Sequence, residues 1–143
     1  MCRHLLPLLA ITCLGSGACK HPGPSVCPEG MSLDGKQSNP GHFVWCRSKE
    51  GGRAQYIEFQ PDGKEKRQIC EFRDRRAEGP FSAWFPGGKV WIAGQFLAGV
   101  PDGRWSQWDK SGARVAEGEY RGGRFIAGAP VAGTPICEKL HPP

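Results

Sequence analysis

Apolar and polar residues alternate at a period of two through most of the chain after residue 50. Phe81, Ala83 and Phe85 are separated by polar or differently sized neighbours. Pro86-Gly87-Gly88 breaks the run, and residues 90–97 (Val-Trp-Ile-Ala-Gly-Gln-Phe-Leu) resume it with β-branched and aromatic side chains. Alternation bounded by Gly, Pro and Asp clusters is the signature of strands joined by tight turns. Pro61-Asp62-Gly63 and Lys110-Ser111-Gly112 mark equivalent turns, and a second set falls at residues 98–103 and 121–123. No sustained 3.6-residue apolar stripe occurs after residue 20, and Gly and Pro are too frequent for helices.

The same pattern returns at a fixed offset. Gly79, Phe81, Trp84, Gly88, Gly94, Phe96 and Gly99 match Gly103, Trp105, Trp108, Gly112, Gly118, Tyr120 and Gly123, each 24 residues on. A period of this length means a repeat architecture. A worn copy lies upstream. Phe72 and Cys70 precede Phe96 and Gly94 by 24 residues, whereas Tyr56, Phe59 and Gly63 precede Phe81, Trp84 and Gly88 by 25. The extra residue therefore falls between Gly63 and Cys70, which makes residues 62–65 a loop, because a one-residue slip inside a strand would turn every side chain to the other face. Gly94 and Gly118 fall in mid-strand, where glycine weakens a sheet unless a ring or another backbone comes close. Phe81, Trp84, Trp105 and Trp108 are the expected partners. The expected fold is all-β, an antiparallel meander of β-hairpin repeats in about three 24-residue units, with six or seven strands.

These motifs resemble the MORN repeat, in the variant form common in bacterial chains and often labelled antitoxin-like. The likeness covers residues 50–128, and the first copy departs from it at Ala54, Cys70 and Arg75. The resemblance implies a β-hairpin array used for protein or membrane contacts, and it implies no catalytic residues.

Residues 1–18 have the layout of a secretory signal peptide: Arg3, an apolar run over residues 5–14, then Gly15-Ser16-Gly17-Ala18. The run is too short to span a bilayer, which needs about 20 apolar residues. Cleavage before Cys19 leaves five cysteines, Cys19, Cys27, Cys46, Cys70 and Cys137. An odd number in an exported chain asks for one special thiol. A lipid-modified Cys19, tethered through residues 20–25, leaves four cysteines for two disulfides. Of three possible pairings, Cys27–Cys46 and Cys70–Cys137 are favoured: the first staples the irregular stretch to the start of the sheet, and the second ties the tail to the first repeat. Residues 19–43 are read as tether and irregular segment, 44–128 as the repeat domain, and 129–143 as the tied-back tail.

Candidate chemistry is sparse. His4, His21, His42 and His141 lie outside the repeats at no ligand-like spacing, and there is no Cys-x-x-Cys pair, so no metal site and no cofactor are expected. Ser82 and Ser106 recur without a recurring histidine, and Glu117 and Glu119 share one strand face, which fits an exposed sheet surface. The expectation is a protein without catalytic activity. Lys and Arg total 19 against 14 acidic residues, giving +5. The basic run over residues 64–76 is broken by Glu65, Glu71 and Asp74, which suits a solvated face and not a nucleic-acid stripe. Trp84 and Trp108 sit three residues after Phe81 and Trp105, on the opposite strand face. Together with Trp91 they form the candidate binding surface. The resulting expectation is a binding or scaffold module at the bacterial cell envelope, membrane-attached through Cys19, with a soluble secreted form carrying a free Cys19 as the alternative. Its partner would be an envelope protein or a cell-wall polymer, and not nucleic acid. The alternatives are a carbohydrate-binding module on the same tryptophans and an antitoxin-like neutraliser.

Overall fold

The computed structural model describes residues 26–34, 43–133 and 136–142. The proposed signal peptide, Cys19 and the tether over residues 20–25 lie outside the described residues. Nine strands form one antiparallel sheet in strict chain order: β1 (Met31–Leu33), β2 (Phe43–Ser48), β3 (Arg53–Phe59), β4 (Lys66–Arg73), β5 (Arg76–Trp84), β6 (Val90–Leu97), β7 (Val100–Trp108), β8 (Arg114–Arg121) and β9 (Arg124–Gly128). A 3-10 turn, Ile136–Lys139, follows. The meander and its repeats are as the pattern predicts. The strand count is higher because the segment read as irregular supplies β1, a three-residue edge, and the last closing turn leads into β9.

The 24-residue period is visible in the backbone. Gly99 N donates to Ala77 O and Gly123 N to Pro101 O, each at 2.9 Å. One unit apart in the same way, Ala98 N donates to a Glu78 carboxylate and Gly122 N to an Asp102 carboxylate. The longer turns also correspond. Phe85 N bonds Lys89 O and Asp109 N bonds Ala113 O, while Gln60 N bonds Glu65 O. The first loop is one residue longer, at the site of the inferred insertion.

Alternation gives the sheet two unlike faces. On face 1, Tyr56, Cys70, Phe72, Phe81, Ile92, Phe96 and Trp105 form the main core. Its rings interlock: Trp105 lies 5.6 Å from Phe81, 5.2 Å from Phe96 and 6.3 Å from Tyr120, centroid to centroid. Gly94 makes the close approach possible. A β-carbon there would fall 2.1 Å from the Trp105 ring, so the glycine is the floor on which the indole rests. Gly118 is closed differently, by the rings of Tyr120 and Phe125 and the Ala129 carbonyl. Trp84 and Trp108 cover neither glycine, because their three-residue offset carries them to the other face.

Two disulfides close the two faces separately. Cys70–Cys137, with α-carbons 5.7 Å apart, fastens the tail onto face 1. The tail reaches it by crossing back over the sheet. Val131 N donates to the Tyr120 hydroxyl on β8, Ala132 N donates to Gln107 on β7, and Gly133 packs on Trp91 of β6. Cys27–Cys46, with α-carbons 5.6 Å apart, belongs to a smaller cluster on face 2 with Val44 and Ile57, against which Met31, Phe59 and Ile69 pack.

Candidate functional site

Among the described residues, face 2 is covered only over its first strands. Its apolar cluster reaches no further than Ile69 on β4. Beyond it, paired rows run across the sheet: Ser82, Ala93, Ser106 and Glu117 in one, Pro80 and Gln95 in the next, with Arg104 opposite Glu119. Gln95, Leu97, Arg104 and Glu119 on this stretch are exposed. Trp84 on β5 follows Ser82 by two residues and so shares its face, and Trp108 on β7 occupies the same slot one unit on. Both are half-buried. Two strand spacings separate them, about 9.6 Å. Between them on β6 stands exposed Val90, the strand partner of Trp84, and beside them runs the polar row. Ser106 Oγ donates to Glu117 at 3.3 Å, and Arg114 pairs with the same carboxylate.

Trp91, grouped with these tryptophans on sequence, is not among them. The β5–β6 register shifts between Ala83 and Trp84, so that Ala83 faces Ile92 while Trp84 faces Val90, and Trp91 is the extra residue of a bulge. A bulge re-aims its side chain. Trp91 turns to face 1, where it lies 6.0 Å from Phe85 and packs against the main core beneath Gly133. The aromatic surface therefore consists of Trp84 and Trp108. The same shift recurs between Gln107 and Trp108. Alternation of residue types does not reveal it.

The remaining candidates fall into structural roles. Cys27, Cys46, Cys70 and Cys137 are all in disulfides, which point to an oxidising environment. Cys19 lies outside the described residues. Among the described residues no group of three or more His, Cys, Asp or Glu side chains is arranged to hold a metal ion, and no helix is long and apolar enough to cross a membrane. Asp109 accepts bonds from Ser111 N, Ser111 Oγ, Gly112 N and Ala113 N. The Ser111 hydroxyl above all holds its carboxyl below the usual range, and the group organises the β7–β8 turn. Tyr56 is pushed up to about 12, by burial first and then by the Glu58 carboxylate.

At the turn end of the sheet, Arg75 of the run read as a solvated face joins Arg47 and Arg53, which lie outside that run. A cavity of about 500 Å³ is bounded by Arg47, Gly51, Gly52, Arg53, Ala54, Phe72, Asp74 and Arg75. Its arginines stand 6 to 28 residues apart in sequence, and only strand pairing brings them together.

Fold and surface define a class: a disulfide-stapled β-repeat protein built as a single sheet, with one face closed and the other partly open. Comparison with protein-family models, curated proteins and solved structures finds no match for this chain.

Proposed function

We propose that the protein is a non-enzymatic binding module of the bacterial cell envelope, exported and anchored by a lipid on Cys19, whose open sheet face contacts a partner protein. The observation that carries this reading is the stretch of face 2 over β5–β8 that no described residue covers, with half-exposed Trp84 and Trp108 on a scaffold stapled from both sides. Aromatic side chains with a partly exposed body are the usual anchors of contact surfaces. The MORN-like repeats support the same reading, since that family's arrays serve protein or membrane contacts.

A second reading is supported by the two indoles on alternate strands beside a polar row of Ser82, Ser106 and Glu117, an arrangement suited to stacking on a cell-wall glycan. Cross-linking in intact envelopes, with Trp84→Ala and Trp108→Ala made singly, separates the two. Under the protein-contact reading each variant loses the cross-linked species while neither form sediments with purified cell-wall polymer. Sedimentation that depends on both tryptophans favours the glycan. Wild-type behaviour of both variants in both assays removes face 2 from consideration. Palmitate labelling that disappears in Cys19→Ser tests the anchor independently.

A further inference from the structure

The arginine-lined cavity at the turn end is a second site. Three observations converge on it. First, neither Arg53 nor Arg75 forms an ion pair or a side-chain hydrogen bond among the described residues, whereas Arg47 pairs with Asp34 at 2.6 Å. Arg53 also lines the two neighbouring cavities, of about 370 and 260 Å³, so it stands where all three open.

Second, Arg75 is held in a conformation that an arginine does not choose. The β4–β5 hairpin turns through Asp74 and Arg75, both with positive φ, 48° and 67°. The equivalent slot one unit on is Gly99, and two units on it is Gly123. A side chain in the left-handed region crowds the following carbonyl oxygen and strains the backbone. The turn forms despite that strain, and it sets a guanidinium on the cavity rim where the other units have no side chain. Strain of this kind concentrates at functional positions.

Third, the lining selects a chemical class. Buried Phe72 and Ala54 make an apolar wall beside the guanidinium groups. Set against Asp74 on the rim and Asp34 on Arg47, the three arginines leave an excess of one positive charge. That balance suits singly charged carboxylates better than a doubly charged phosphate. Arginine forks match carboxylates in a planar, bidentate geometry.

We propose that this cavity binds an acidic segment of a partner protein, with a carboxylate held by Arg53 and Arg75 and an apolar side chain against Phe72. The inference deepens the protein-contact reading by naming a site and the chemistry of what it takes.

The test is fluorescence anisotropy on the oxidised full chain. The probe is a labelled pentapeptide alternating Glu and Leu, and the control has Gln in place of Glu. The Glu peptide is expected to bind at least tenfold more tightly, and to weaken at least fivefold in Arg53→Gln and in Arg75→Gly. Arg75→Gly is also expected to raise the melting temperature, because glycine accepts the turn without strain. Weaker binding in a more stable protein cannot come from misfolding. Equal affinity for the two peptides, or wild-type affinity in Arg75→Gly, overturns the proposal. So does preferential binding of inorganic phosphate or of phosphatidylglycerol vesicles over the Glu peptide. These variants leave Trp84 and Trp108 in place, so failure here is distinct from failure of the face 2 reading.

Discussion

Gly94→Ala isolates the interaction that locks the repeats together. The backbone at Gly94 lies outside the left-handed region, so alanine meets no torsional barrier there. On an ordinary strand the change would stabilise, by about 0.5–1 kcal/mol. Here the added β-carbon falls 2.1, 2.4 and 2.5 Å from three atoms of the Trp105 ring. Carbon atoms pack at about 3.5–4.0 Å, so the indole must retreat by about 1.4 Å or more. It has nowhere to go: Trp105 is 1 % exposed and wedged among Phe81, Phe96 and Tyr120. Overpacking costs about 1–3 kcal/mol and complete loss of a buried tryptophan about 3–5. The expected net cost is therefore about 2–4 kcal/mol, a large part of the 5–15 kcal/mol typical of a domain. Urea unfolding of the oxidised protein, followed by near-ultraviolet circular dichroism, should show the midpoint falling by about 1–3 M. The decisive control is Trp105→Ala. In that background the clash is gone, and Gly94→Ala should become neutral or stabilising. A cost that persists undiminished without the indole, or a single variant within 0.5 kcal/mol of wild type, would refute the ring-on-glycine account.

Loop length ranks the two staples. Cys70–Cys137 spans 67 residues and Cys27–Cys46 spans 19, which corresponds to about 4 and about 3 kcal/mol on the chain-entropy model. Paired alanine substitutions should therefore lower the melting temperature more for the first pair, and should leave the tail over residues 129–133 open to protease; equal effects would contradict the ranking. The raised Tyr56 pKa sets an alkaline limit. Folding disfavours the phenolate, so this contribution is complete below the unfolded-state value near 10 and is lost as pH rises towards about 12. Melting temperature should fall across that window, and Tyr56→Phe should flatten the fall; an unchanged slope in the variant would show that burial of this hydroxyl is not the cause.

The pattern along the chain carries most of the fold because the repeat is enforced by geometry. A mid-strand glycine needs a ring, a turn glycine needs its slot, and both needs recur at 24 residues. The inserted residue near Gly63 was legible for the same reason, since only a loop tolerates it. Features that depend on a single local register shift were not legible. Trp91 occupies a position whose alternation assigns it to face 2, and the bulge beside it reverses the assignment. The arginine cavity was hidden differently. Arg53 and Arg75 line one cavity because β3, β4 and the turn after β4 are adjacent; Arg53 lies outside the basic run over residues 64–76, and the acidic residues within that run made Arg75 look like ordinary solvated charge.

Departures of the first unit from the repeat pattern read differently once the neighbours are known. Cys70 stands in the slot of Gly94 and Gly118, and its strand partner Phe81 stands in the slot of Trp105. A glycine beneath an indole and a cysteine beside a phenyl ring fill comparable space: the smaller ring leaves room for a β-carbon and a sulfur. That sulfur is bonded to Cys137, and the tail arrives over the core beside a phenyl ring and not an indole. Arg75 follows the same logic at the turn, where a glycine slot has been given a side chain at the expense of backbone strain. Both exchanges add a chemical group that the later units lack. Decay would remove groups from the pattern; here each substitution puts one in, the first to close face 1 and the second to line a cavity.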